Sequence, residues 1–197
     1  MIRRADAADL SRLTRTGMRA FANDPLMRWI VPNDDAYASG LGELLQRIMF
    51  VTWLGAGEIW STDDGVALAA WSPPEPVISE ELGIELGAIR DRFPDDIKER
   101  LARLRPVLRE HRPQEPHWYL NILATHPDWQ RQGLGMAVMQ PIRQRCDADQ
   151  LGQYLETATE EDIAYYSSRG FTITARWTLD GTVAMAGMWR APGAGNR

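Results

Sequence analysis

Six consecutive residues, Gln130, Arg131, Gln132, Gly133, Leu134 and Gly135, carry the densest chemical signal in the chain. They follow an apolar stretch at 118–125 and open a segment of helical character at 134–149. Glycines at 133 and 135 let a ligand approach the main chain, and the unbonded N–H groups and positive dipole end of a following helix favour an anion. A pyrophosphate fits such a cradle. An isolated Gly-x-Gly also suits an ordinary turn into a helix, so the flanking residues must decide. A dinucleotide fingerprint is disfavoured, because it needs Gly or Ala three positions after Gly135 and Val138 stands there.

Proton-transfer chemistry has a few candidates. Glu156 alternates with Leu155 on an expected strand, so if Leu155 faces a core, Glu156 faces the opposite side. Tyr166 precedes Gly170-Phe171 on a short helix, and a phenol with an ordinary pKa near 10 is protonated at neutral pH and can donate. Tyr165 beside it reads as the core member of the pair. His117 is a weaker base candidate, and His126 reads as a turn residue. Cys146 is the only cysteine, which excludes an internal disulfide and a multi-cysteine zinc site. With Asp147 adjacent and no histidine nearby it reads as a buried structural thiol. No metal is expected.

The elements that must hold these groups can be sketched from pattern. Asp6 caps a helix reaching about Ala20, and Asn23, Asp24 and Pro25 end it. A second helix covers 35–53, where Leu41, Leu44, Leu45, Ile48 and Met49 recur at helical spacing and Gly55 and Gly57 stop it. Strands at 58–62 and 66–72 join at Asp63-Asp64-Gly65. Residues 77–112 form an insert of two or three short helices broken at Pro94 and Pro106, with Ile84, Ile89, Ile97, Leu101 and Leu104 on one face, read as a lid or wall beside the site or as a packing element. The central strand at 118–125, the helix at 134–149 bent by Pro141, a strand at 153–157, a helix at 160–169 and strands at 172–178 and 182–189 complete the order.

With 197 residues, 44% hydrophobic and 25% charged, the chain is expected to form a single domain over 1–190 with a flexible tail at 191–197. A net charge of -5 argues against nucleic-acid or anionic-membrane surfaces, which require basic patches. No stretch reads as a signal peptide or membrane span, so a cytoplasmic protein is expected.

Strand, Gln-x-x-Gly-x-Gly, helix, strand, and a short helix ending Tyr-x-x-x-Gly-Phe: in this order the chain resembles the GCN5-related N-acetyltransferase (GNAT) superfamily. Residues 126–135, 154–157 and 165–171 look most like the branch that includes puromycin N-acetyltransferase. The resemblance implies an α/β (α+β) fold with a mixed, mostly antiparallel twisted sheet of six to seven strands, flanking helices and a helical insert before the central strand. It implies acetyl-CoA as donor, with Arg131, Gln132, Gly133, Leu134, Gly135 and Met136 holding the pyrophosphate through backbone N–H groups. Leu123, Ala124 and Thr125 would pair with the pantetheine amides and fix the thioester carbonyl. Tyr166 matches the family's acid, and Glu156 stands where some members place a base that acts through water. Asp162 departs from the asparagine many members carry there, so that cofactor contact is not transferred.

The implied activity is acetyl transfer, by direct attack, to a primary amine of a small molecule, for example an antibiotic or other xenobiotic. A protein N-terminal or lysine acetyltransferase and a non-catalytic acyl-CoA sensor are the alternatives. The expected partner is the amine alone, without nucleic acid or membrane, in a monomer or homodimer. One or two of Trp29, Trp53, Trp60, Trp71 and Trp118 are expected to line the acceptor pocket.

Overall fold

The computed structural model describes residues 1–194, with backbone only at Ser39. Its strands are β1 (Ile2–Arg4), β2 (Glu58–Thr62), β3 (Ala67–Ser72), β4 (His117–Thr125), β5 (Gly152–Thr157), β6 (Thr172–Leu179) and β7 (Val183–Arg190). They form one sheet in the order β1-β2-β3-β4-β5-β7-β6, antiparallel throughout except where β4 meets β5 in parallel. This is the mixed, mostly antiparallel sheet expected. Strand β1 escapes sequence reading because three residues are too few to show an alternating pattern.

Both faces of the sheet are covered. On one face Leu68, Ala70, Ile122 and Ala124 pack with Leu13 of α1 (Leu10–Ala20) and with Phe50 from the helix at Gly42–Ala56. On the other, Ala67, Ala69, Trp71 and Leu155 pack with Val138, Met139 and Ile142. That two-sided burial explains why β3 reads as an unbroken apolar run rather than an alternation.

The helices follow their capping residues, with corrections. Helix α1 ends at Ala20 with Phe21 as its C-cap, and Asp24 caps a helix absent from the sequence reading, α2 (Pro25–Ile30): its Oδ1 accepts from Met27 N at 2.8 Å, and Pro25 occupies the first position. The helix expected at 35–53 is interrupted. A short α3 (Asp34–Ala36) leads into a wide turn at Tyr37–Leu41, where Gly40 adopts φ +129°, before α4 (Gly42–Ala56) begins. Gly55 does not stop α4; it lies within it, where a Cβ would come 2.7 Å from Leu82.

The insert holds two helices, α5 (Glu80–Arg90) and α6 (Asp95–His111). Pro94 caps α6, but Pro106 does not break it: Pro106 and Ala102, whose carbonyl loses its partner, are both exposed, so water can take that bond. Ile89, Ile97 and Leu104 turn inward, whereas Ile84 is 68% exposed and does not belong to the apolar face. Helix α7 (Leu134–Asp149) runs through Pro141, and α8 (Glu160–Ser167) precedes β6.

Of the expected tail, residues 191–194 turn back onto α7. Arg190, fully buried, donates to both oxygens of Asp147 and to Ala194 O, and Gly193 N donates to Asp147 Oδ1 at 2.7 Å. Residues 195–197 lie outside the described residues. Among the described residues no helix is long and apolar enough to cross a membrane.

The feature that shapes the cleft is a parting of strands. Strands β4 and β5 pair from His117 opposite Gly152 to Leu120 opposite Leu155, and no further. Beyond that point β4 stays with β3 as far as Thr125, and β5 stays with β7 as far as Thr157. A register shift against β3 leaves Asn121 as an extra residue, held by bonds from its Nδ2 to Ser72 Oγ at 2.9 Å and Tyr119 O at 3.1 Å.

The N-terminal anchor is electrostatic. Arg3 donates to both oxygens of buried Asp9 at 2.7 Å, while Asp9 also accepts from Arg12 and from the backbone of Asp6. The Arg3 bonds, chiefly, lower the Asp9 carboxyl to about 2. A depressed folded-state pKa contributes stability above the unfolded carboxylate range and loses it as pH falls through the folded value. Asp9→Asn is therefore expected to lower Tm at pH 7 by about 3 to 6 °C, and this deficit should shrink as pH falls from about 4 to about 2. Thermal denaturation across pH checks both.

Candidate functional site

Where β4 and β5 part, two cavities meet. One, of about 460 Å³, lies between the end of β4, the 130–135 loop and α8. The other, of about 350 Å³, lies between the ends of β4 and β5, the loop joining α1 to α2, and the start of α8. Leu123, Thr125, Gln130, Glu161, Asp162 and Tyr166 line both, so they form the two arms of one cleft.

The loop owes its shape to local bonds. His126 accepts from Asp128 N, capping the turn Pro127–Trp129, as a turn residue would. Gln130 then donates to Thr125 O at 3.2 Å. Arg131 at φ +60° and Gly133 at φ +80° are left-handed, which turns the chain sharply into α7. No side chain caps α7, leaving the N–H groups of its first turn for a ligand. A Cβ on Gly135 would lie 2.9 Å from Tyr165 Oη and within 3.8 Å of Leu123 and Thr125, so a side chain there would intrude on the space beside the loop.

Among the expected binding residues, Leu123, Thr125, Arg131, Gly133, Leu134 and Gly135 line the larger arm. Ala124 turns its side chain to the opposite face of the sheet, while Gln132 and Met136 occupy the loop and first helical turn without lining the arm. Three lining residues escaped the sequence reading. Trp129 stands at the loop, Glu161 opens α8, and Arg169 stacks its guanidinium 3.5 Å from the Tyr165 ring centre while donating to Tyr165 O. Buried Arg143 steadies that turn by donating to Arg169 O at 3.0 Å.

Helix α8 sets Tyr166. Thr159 caps it by accepting from Asp162 N, and Asp162 in turn accepts from Thr159 and Thr157 hydroxyls at 2.7 and 3.1 Å. The aspartate thus closes the β5–α8 connection. At the far end Phe171 N bonds to Tyr166 O, with Gly170 at φ +88°. Tyr166, 8% exposed, is the more buried of the tyrosine pair and packs against Phe171, whereas Tyr165 is half-buried over Gly135; this reverses the expected assignment. Burial above all, and then the Asp162 charge, push the Tyr166 phenol well above its ordinary pKa, so it stays protonated.

Glu156 lines only the smaller arm. Tyr119 Oη donates to its Oε2, while Oε1 is buried without a partner. The Arg112 guanidinium sits 3.9 Å from the centre of the Tyr119 ring. Neighbouring Tyr154 stacks on Tyr119 and donates to His111 O, so the end of α6 backs the site. Burial raises the Glu156 carboxyl to about 6, against the opposing pull of the Tyr119 bond and then Arg112. A carboxyl there is ionised at neutral pH yet still accepts a proton readily. The sequence shows Tyr119 and Arg112 only as an aromatic and a charge; the β4–β5 register brings the tyrosine to Glu156.

Other candidates fall elsewhere. His117 lies at the opposite end of β4, its Nδ1 against Glu115 O at 2.6 Å and its ring against Tyr154 and Trp189. Cys146 is wholly buried, its thiol pushed up to about 12 by desolvation. None of Trp29, Trp53, Trp60, Trp71 and Trp118 lines either arm. Trp71 is fully buried in the sheet core, and Trp29 packs under Arg100 and Arg103. Their large apolar area is used in packing instead.

A family model for the GNAT acetyltransferase domain matches residues 86–173. Among solved structures, the chain is similar to a Corynebacterium glutamicum protein described as histone acetyltransferase HPA2 and related acetyltransferase, at 24% identity over 98% of this chain and 96% of that one, TM-score 0.71. It is also similar to arylalkylamine N-acetyltransferase 2 from Aedes aegypti, at 11% identity, covering 98% and 99%, TM-score 0.67. A third likeness is to the PaiA N-acetyltransferase from Thermoplasma acidophilum in complex with coenzyme A, at 11% identity, covering 97% and 98%, TM-score 0.53.

The Glu156 environment generates a direct test. Removing the Tyr119 hydroxyl removes the largest influence holding the carboxyl down. Tyr119→Phe is expected to move the Glu156 midpoint from about 6 to higher pH, read by carboxyl NMR titration; an unmoved midpoint would show that the bond does not act on it.

Proposed function

We propose, from the match of residues 86–173 to the GNAT acetyltransferase domain and from the shared fold, that the chain is a GNAT acetyltransferase that moves an acetyl group from acetyl-CoA to a primary amine of a small molecule. The observation that carries this reading is the position of Tyr166 on both arms of the cleft, with Glu156 on the smaller arm alone. A donor and an acceptor of protons then stand on the two sides of one reaction.

The residues present fit the donor. The uncapped start of α7, side-chain-free Gly135, and Arg131 and Arg169 along the larger arm suit a pyrophosphate. The stretch of β4 that has lost β5 offers free backbone groups to an extended amide chain, as an added strand would use. The likeness to a structure holding coenzyme A supports the same assignment. Acetyl-CoA supplies the activated thioester whose sulfur must depart.

The chain's own groups do the rest. The smaller arm orients the amine so that its nitrogen bonds the acyl carbon directly. Glu156 takes the proton that nitrogen loses, directly or through a water, and Tyr166 gives its phenolic proton to sulfur as the carbon–sulfur bond breaks. Tyr119 and Arg112 keep Glu156 oriented and largely ionised at neutral pH. The volume of the smaller arm, about 350 Å³, lies in the range of small-ligand sites, which favours a small amine over a folded protein surface. Reaction in the cytoplasm belongs to the same proposal, and puromycin-like amines are among the acceptors to try.

Two variants test the reading. Gly135→Glu is expected to weaken acetyl-CoA binding by at least about tenfold, measured by calorimetry on protein whose circular dichroism matches the parent. Tyr166→Phe is expected to lower kcat by about 100-fold while leaving the acetyl-CoA Kd nearly unchanged. Equal kcat for Tyr166→Phe and parent would remove the tyrosine from the acid role, and tight acetyl-CoA binding without turnover of any amine would favour a sensor.

A further inference from the structure

The two arms of the cleft differ in charge. The larger carries Arg131 and Arg169 beside the shared Glu161 and Asp162, so its charges balance. The smaller is lined by Asp24, Glu156, Glu161 and Asp162 and, among the described residues, by no arginine, lysine or histidine. Three of these carboxylates come from separate elements: Asp24 from the loop before α2, Glu156 from β5, and Asp162 from α8.

Glu161 is ion-paired to Arg131 at 3.9 Å across the two arms, and Arg112 acts on Glu156 from a distance, but the hydrogen-bond partners of Asp24, Glu156 and Asp162 are all neutral groups. Asp24 accepts the capping bond from Met27 N. Asp162 accepts from two threonine hydroxyls. Glu156 accepts from Tyr119 at Oε2 and leaves its buried Oε1 without a partner. Burial, and after it the nearby Asp162 charge, raise the Asp24 carboxyl. Concentrated carboxylates in a partly desolvated cavity are costly unless a cation enters with them. One ammonium, the attacking nitrogen, would answer Glu156. Asp24 and Asp162 would remain uncompensated.

Resting on the acetyl-transfer reading above, we propose that the acceptor is a small dication of the α,ω-diamine type, with one amine presented to Glu156 and the other, as ammonium, held against Asp24 and Asp162. The methylene spacer between the two nitrogens meets the apolar part of the same arm, where Phe21, Leu26, Leu155 and Met185 line the wall. Acceptors bearing a carboxylate or phosphate find no cation there and meet four carboxylates, so the arm rejects them by charge as well as by lost desolvation.

The test uses the full chain with acetyl-CoA and a series of α,ω-diaminoalkanes, the equal-length 1-aminoalkanes and the equal-length ω-amino acids. Expected is a kcat/KM for the best diamine at least about tenfold above the matching monoamine, with the amino acid lowest. Asp24→Asn keeps a good helix cap and removes the charge; it should raise KM for the diamine more than for the monoamine and so shrink the preference. Monoamines used as well as diamines, or a preference untouched by Asp24→Asn, would overturn the proposal. Calorimetric titration of the CoA-loaded protein with the diamines separates the two readings. Diamine binding that Asp24→Asn weakens, without turnover, would support the dication site while removing acetyl transfer; absence of diamine binding beside turnover of other amines would do the reverse.

Discussion

Strands β4 and β5 begin as hydrogen-bonded neighbours and end as opposite walls of a cleft, and that parting is the constraint on which the rest of the structure depends. It is affordable because neither strand is left alone. Strand β4 keeps its ladder with β3, and β5 keeps its ladder with β7, so only the facing edges lose partners. Buried backbone groups without partners are costly, so a gap inside a sheet demands either water or a ligand that behaves like a strand. The extra residue at Asn121 increases the local bend, and its side chain, bonded to Ser72 and Tyr119, holds the bend in place.

Everything chemical is arranged around that gap. Helix α8, which leaves the end of β5 through the Thr157–Asp162–Thr159 cluster, carries Tyr166 to one rim. The loop after β4 turns through left-handed Arg131 and Gly133 and delivers the start of α7 to the other arm. The sheet itself places Glu156 just past the last β4–β5 pair. A short range of backbone thus positions the uncapped amides of α7, a protonated phenol and a buried carboxylate.

Burial pushes the two titratable groups in one direction. The phenol of Tyr166, pushed up, stays protonated at neutral pH, whereas the carboxyl of Glu156, raised to about 6, is mostly ionised there. The Tyr119 bond first, and then Arg112, offset part of the desolvation of Glu156. Arg112 follows directly on α6, so the insert at 77–112 is tied to the site by its last residue and by the carbonyl of His111.

Much of this was legible in the sequence because it rests on local physics. Capping at Asp6, the hairpin at Asp63-Asp64-Gly65, the two glycines at the start of α7, and the spacing of Tyr166 to Gly170 are written in short stretches of chain. The resemblance carried by 118–190 extended that reading to the sheet and the cofactor loop. Several of the failures depend on residues far apart in sequence. Pro106 stays in α6 because Ala102, whose carbonyl it leaves without a partner, is exposed to water, and the five tryptophans pack in or against the cores because sheet and helix faces close over them. Tyr119 becomes a partner of Glu156 only through strand register. The charge contrast between the arms arises when Asp24, Glu156 and Asp162 converge from three elements. Sequence alone determined the local elements and the identities of the reactive groups; which of those groups meet, how far each is desolvated, and therefore what each can do, was decided only when the chain closed on itself.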